Sequence, residues 1–362
     1  MVTYDNAHIR KTNNRNSLIE FYRFLLALWI AFGHGFFPGA NGFDTQLTTP
    51  YFQYGGKATA LFYVICGFFL VPAIIKQNDK PFGKGLGTFT WKKIKNLGFI
   101  TLIGLVIQIW LAVWAYGREG IWNKDHTSNV FNYIWYIMTA GSQYWFIFGM
   151  IVASILFFAL YRICRKHILI FLLILPCFIF YNAFHYGNRG IDSGMAIFSA
   201  LSGMALGILV SYVPPIKCHN TIKWICVAIL FVVIIYFIYL PKQSERTIYS
   251  DLIWTPLFPM LIYFSSQVDL PKENIFRKIF LYLGSLSIPL YVGQSILTLM
   301  ITNMLSWGST IFVLLLIIAL LTCKQNFVDV FFKKRIKAAT PILKENSEIS
   351  RANKQGEANQ PT

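Results

Sequence analysis

The sequence predicts an all-α integral membrane protein of about ten transmembrane helices, with N- and C-termini cytoplasmic. Three observations predict it. The chain is 56% hydrophobic and only 13% charged, where soluble domains carry about 25% charged residues. Apolar runs of roughly 18 to 22 residues recur along most of its length, the length that crosses a bilayer core as a helix. Its basic residues fall almost entirely on one side of the topology those runs imply.

Ten spans follow in order, at 18–37, 55–75, 97–116, 143–161, 168–185, 193–213, 224–240, 249–267, 279–301 and 308–323. Backbone groups in lipid must be satisfied within the segment, which makes each run a helix. The runs lack the apolar/polar alternation of a transmembrane barrel. Segment 130–140 is apolar but short and reads as an interfacial or re-entrant piece. With the N-terminus inside, cytoplasmic segments hold 25 lysines and arginines and outer loops hold 5. An odd number of spans would put the basic tail outside and spoil that asymmetry.

The chain thus divides into a cytoplasmic N-terminus at 1–17, a helical membrane domain at 18–323 and a basic, low-aromatic cytoplasmic tail at 324–362 that reads as disordered. The polar start predicts that the first helix is not removed as a signal peptide. The net charge of +17 lies in short loops and the tail, so it points to anionic lipid headgroups and not to nucleic acid. Cys66, Cys164, Cys177, Cys218, Cys226 and Cys323 form no CxxC and no His/Cys cluster, so neither a disulfide framework nor a metal site is indicated. No convincing internal repeat is present, which disfavours many transporter architectures.

Ionisable residues inside spans are costly and mark function. The first span holds Glu20, Arg23 and His34. Glu20 and Arg23 are three apart and can pair on one helix face. Arg23 and His34 are eleven apart, which returns to the same face about 16 Å along the axis. Alone, Arg23 reads equally as a residue snorkelling to inner headgroups, and His34 equally as an interfacial histidine. Together they place a cation near the inner side and an imidazole near the outer side of one face.

The Arg-x10-His pattern of Arg23 and His34 resembles the first-helix motif of the membrane-bound acyltransferase 3 family. Four further elements are similar to that family in the same order. The second span has Leu61-Phe62-Tyr63-Val64-Ile65-Cys66-Gly67-Phe68, with Cys66 where serine is usual. The entry to the third span has Phe89-Thr90-Trp91-Lys92-Lys93-Ile94-Lys95, with lysines where arginines are usual. Tyr144-Trp145-Phe146-Ile147 and Ser287-Ile288-Pro289-Leu290-Tyr291-Val292-Gly293-Gln294 complete the set, with Gln294 where histidine is common. The resemblance covers most of residues 18–301 and lacks the outer hydrolase-like domain of some members.

The resemblance implies a multi-pass enzyme of the bacterial inner membrane. It would move an acyl group, most often acetyl, from cytosolic acyl-CoA to a hydroxyl of an exported glycan or lipid-linked saccharide. Acyl-CoA is then a co-substrate, with no bound cofactor, and membrane lipids and a polysaccharide biosynthesis complex are the partners expected. Transfer from a thioester needs a base or a nucleophile, and a neutral imidazole near pH 7 can be either, which makes His34 the central group. Arg23, Lys92, Lys93 and Lys95 fall on the inner side and can hold the donor's phosphates. Positive-inside topology alone also explains the lysines.

Cys66 and Gly67 in the second span, with Trp145, Tyr291 and Gln294, are candidates for the pocket. Cys66 reads more simply as a small packing residue than as an acyl carrier. Gly67, with Gly203 and Gly207, reads as a site of close helix approach. Two rivals stand beside the acyltransferase: a polysaccharide transporter or flippase, and a non-catalytic partner in a synthase complex.

Overall fold

The computed structural model describes residues 15–33, 55–98, 100–107, 109–110, 145–164, 172, 193–239 and 247–303. All of them lie in the first of two compact units, Met1–Leu314. His34, the predicted spans at 168–185 and 308–323, segment 130–140 and the tail lie outside the described residues, residue 172 apart.

Every regular element among the described residues is helical. Helices α1 (Ser17–Gly33), α2 (Gly55–Ile75), α4 (Trp145–Cys164), α5 (Ser193–Tyr212), α6 (Asn220–Tyr239), α7 (Thr247–Ser265) and α8 (Ile275–Asn303) fall on seven predicted spans, with ends displaced by a few residues. Three stretches, Ala58–Ile75, Phe146–Cys164 and Ile275–Gly293, are long and apolar enough to cross a membrane. Outward-facing side chains are apolar too. On α6, Ile222, Ile225, Ile229 and Val232 recur at helical spacing, and all four are exposed. Such a stripe is a liability in water and the expected surface of a helix against lipid.

The remaining helix, α3 (Phe82–Lys93), is a finding the hydropathy pattern did not anticipate. Its segment read as a cytoplasmic loop. Pro81 stands at its N-cap, where a fixed φ and a missing N–H cost nothing. Gly85 and Phe89 form its buried face, while Lys84, Gly87, Thr88, Trp91 and Lys92 are exposed. A short π-helical stretch, Ile94–Gly98, follows.

Packing is tightest between α2 and α5. Gly203 lies against Tyr63 and Ala60, Gly207 against Val64 and Phe68, and Gly67 against the Met204 backbone. Contacts that advance together along both helices make the pair parallel. The same holds for α2 and α4, where Tyr63 meets Phe146 and Cys66 meets Met150. Parallel runs are what the second, fourth and sixth spans of an alternating topology require. Between α1 and α8, Gly284 leaves room for the Glu20 side chain and backbone, and Phe21 stacks on Phe280 at 4.2 Å.

Polar bonds gather where helix ends meet. Asn16 caps α1 by accepting from the Ile19 N–H at 3.1 Å, and its amide donates to the Ser265 and Val268 carbonyls. Asp269 accepts from the Ser17 N–H and hydroxyl, and pairs with Arg277 at 3.2 Å. Tyr263 donates to the Pro214 carbonyl, and Gln267 accepts from the Ile216 N–H. These bonds bring the start of α1 and the turns at 213–219 and 266–274 to one end of the bundle, the end where all three are predicted to face the cytoplasm.

Candidate functional site

The site grows from the inner end of α1. Glu20 is buried, because Gly284 offers it a surface with no side chain. A buried carboxylate needs a partner, and helical geometry supplies one at i+3. Arg23 Nη1 donates to Glu20 Oε2 at 2.8 Å. The Arg23 side chain remains 26% exposed against 6% for Glu20. The carboxylate therefore fixes the guanidinium from behind while part of it still faces outward.

The second cation comes from α3, some seventy positions along the chain. Phe89 is buried against Phe158 of α4, with ring centroids 4.8 Å apart. Lys93, one turn further on, sits with its ammonium 5.7 Å from the Phe89 ring centre, within cation–π range. It lies within electrostatic range of Arg23 and of Cys66. Lys93 precedes the predicted third span. Burial pushes its ammonium below the ordinary lysine value, and the charges of Arg23 and Lys92 push the same way. Two cations within electrostatic range of each other, one of them backed by a carboxylate, favour an anion that can neutralise both.

The three lysines expected to act alike are therefore distinguished. Lys93 is half-buried, with its ammonium over the Phe89 ring, while Lys92 and Lys95 are exposed. On a helix, neighbours are rotated by about 100°, so Lys92 and Lys93 cannot share one task.

Behind the charges lies an aromatic cluster that joins α2, α4 and α8. Phe146 stands 5.6 Å from Phe62, 4.6 Å from Tyr63 and 5.1 Å from Tyr291 between ring centres. The Tyr63 hydroxyl donates to the Phe146 carbonyl at 3.3 Å. Tyr291 is fully packed there. Cys66 Sγ lies 3.1 Å from Met150 Sδ, and Gly67 is buried against α5. The backbones of Trp145 and Gln294 are helical, on α4 and α8, while their side chains lie outside the described residues. Among the described residues no group of three or more metal-ligating side chains occurs.

The sequence motifs thus meet in space. Phe62, Tyr63 and Tyr291 pack on Phe146, and Cys66 lies within electrostatic range of Arg23 and Lys93, so five separate segments contribute. An acyltransferase domain family model, that of the acyltransferase 3 family, matches residues 16–323. The chain belongs to the acyltransferase 3 family. No curated protein and no solved structure gives a match. Membership makes this chain an acyltransferase, and with its apolar helices a membrane protein. The residues brought together around Arg23 are then candidates for the machinery of acyl transfer.

Proposed function

We propose that this acyltransferase is a ten-span protein of the bacterial inner membrane with both termini in the cytoplasm. It moves an acyl group, acetyl in the simplest case, from cytosolic acyl-CoA to a hydroxyl of an exported glycan or its lipid-linked precursor. The observation that carries the reading is the convergence of Arg23 and Lys93, from two distant segments, at the end of the bundle predicted to face the cytoplasm. A paired cation site there suits the phosphates of coenzyme A. His34 follows Arg23 by eleven residues, a spacing that on a continued helix would return it to the same face nearer the outer side, where it would serve the acceptor. As the hydroxyl oxygen attacks the thioester carbonyl, the imidazole takes its proton and returns it to the departing thiolate. Alternatively the imidazole nitrogen accepts the acyl group first and passes it to the hydroxyl.

Ester content of the surface polysaccharide, read by NMR, tests the reading in cells lacking the protein and complemented with wild type or His34→Ala. Loss of ester signal in the deletion, rescued by wild type alone, is the expected result. Normal ester content with less polymer exported would replace the enzyme by a transporter. Rescue by His34→Ala would instead leave the protein a non-catalytic role in the synthase.

The lysines offer a sharper expectation. Lys93→Gln should raise the KM for acyl-CoA about tenfold, the scale of one charge-assisted contact. Lys92→Gln should change it less than about twofold, as for an exposed charge. The ammonium is the form that binds phosphate, and its pKa lies below the usual lysine value. Donor affinity should therefore fall as pH rises through that lowered value, earlier than for an ordinary lysine. Lys93→Arg stays charged and should remove that alkaline limb. Equal effects at positions 92 and 93 would refute the division between them.

A further inference from the structure

Arg162 lies in the last turn of α4. A basic residue there is normally explained by the inner headgroups or by the helix dipole. Here its guanidinium is otherwise engaged. Nη1 donates to the Gln77 carbonyl at 2.9 Å and Nη2 to the Lys80 carbonyl at 2.8 Å. Both carbonyls belong to the turn that leaves α2 and enters α3. Gln77 also accepts from the Lys80 N–H at 3.1 Å, which closes the turn on itself.

One helical turn back along α4, on the same face, stands Phe158. Its ring packs on Phe89 and lies 6.5 Å from the Phe82 ring centre. Gly85 completes the contact, since a methyl group there would stand 3.4 Å from both the Phe158 ring and the Gln77 carbonyl oxygen. One face of α4 therefore grips both the turn, through Arg162, and the helix, through Phe158. Lys93 sits eight residues beyond Gly85, about 12 Å further along the axis. Any pivot of α3 at its start is magnified at Lys93. A shift there changes the distance of the ammonium from Arg23.

We propose that Arg162 is a positioning residue: its two-pronged hold on the turn at 77–80 sets where Lys93 stands relative to Arg23. It does not itself touch the donor. The proposal rests on the reading of Arg23 and Lys93 as the donor site, and its test separates the two.

In full-length protein with the five cysteines other than Cys66 replaced, Lys93→Cys should cross-link to Cys66 with a short bis-maleimide. Adding Arg162→Gln should lower the cross-linking rate about tenfold. In the otherwise unchanged enzyme, Arg162→Gln should raise the acyl-CoA KM about tenfold with kcat little altered. The double variant with Lys93→Gln should be no worse than the weaker single, because both remove the same contact. Arg162→Lys keeps the charge without the fork and should fall between wild type and Arg162→Gln, which guards against misfolding of the harsher variant. An unchanged cross-linking rate, or KM effects that multiply in the double variant, overturns the role of Arg162. Wild-type protein that transfers no acyl group while its cross-linking still depends on Arg162 overturns the donor-site reading alone.

Discussion

Arg23→Ala is expected to lower kcat/KM for acyl-CoA by about 100-fold or more. Truncating one member of a desolvated, hydrogen-bonded charge pair costs about 2–5 kcal/mol, and each 1.36 kcal/mol is tenfold in rate. The substitution also strands Glu20, buried against Gly284, by removing the guanidinium that pairs with it, so a loss of stability would imitate a loss of function. The double variant Glu20→Gln/Arg23→Ala removes the orphaned charge. It should regain most of the thermal stability and none of the activity. Arg23→Lys keeps a cation but not the planar fork that reaches Glu20 and an outward anion together, and should retain a small fraction of turnover. Steady-state kinetics in detergent or nanodiscs, beside a thermal melt of each variant, decide the matter. Recovery of activity in the double variant would show that Arg23 serves the fold alone.

The helical architecture was legible because the bilayer writes it into composition. A span needs about 20 apolar residues, and seven predicted spans reappear as α1, α2 and α4 to α8 with only their ends moved. The Glu20–Arg23 pair was legible for a similar reason, since i+3 spacing on a helix leaves little choice of partner. Helix α3 was not. Hydropathy is blind to a short helix with one apolar side, and Gly83, Gly85 and Gly87 read as loop. Its signals were Pro81 at the start and the spacing of Phe82, Gly85, Phe89 and Lys93 along one side, of which Gly85 and Phe89 are buried. Arg162 was hidden for a deeper reason. Its partners are backbone carbonyls, and every residue has one, so no pattern of side chains announces the contact. The distinction between Lys92 and Lys93 likewise required the orientation of α3, which follows from Phe89 meeting Phe158.

The site also explains why the first three spans carry most of the family-like sequence. The Arg23 charge lies on α1, the Lys93 charge enters from α3, and Cys66 of α2 lies within electrostatic range of both. The relation of these groups depends on α2 keeping its place. α2 is placed by α5, which carries no charged residue. The chemistry of one set of helices thus rests on the smoothness of another.

That dependence makes Gly207 the position where the smallest change should do the greatest harm to the fold. In lipid there is little hydrophobic force between helices, so close packing must supply the association. A methyl group on Gly207 would run into the Val64 carbonyl oxygen and stand 2.7 Å from the Phe68 backbone nitrogen. One on Gly67 would run into the Met204 carbonyl oxygen and stand 2.7 Å from its carbonyl carbon. Neither obstacle is the end of a flexible side chain, so the two backbones must separate. Overpacking of this kind costs about 1–3 kcal/mol and occasionally more. Gly207→Ala should therefore lower the melting midpoint in detergent by about 5 °C or more, given about 2–4 °C per kcal/mol for sizeable chains. Gly67→Ala should do the same, and the pair together should exceed neither by much, because one separation relieves both clashes. Gly83 and Gly87 on the outer side of α3 provide the contrast, since a methyl group on either would meet nothing within 4 Å. Alanine at those positions should leave the midpoint unchanged or raise it slightly, as expected for glycine replaced within a helix. A midpoint that falls equally for Gly87→Ala and Gly207→Ala would mean that the harm comes from the helix backbone and not from the crossing of α2 and α5.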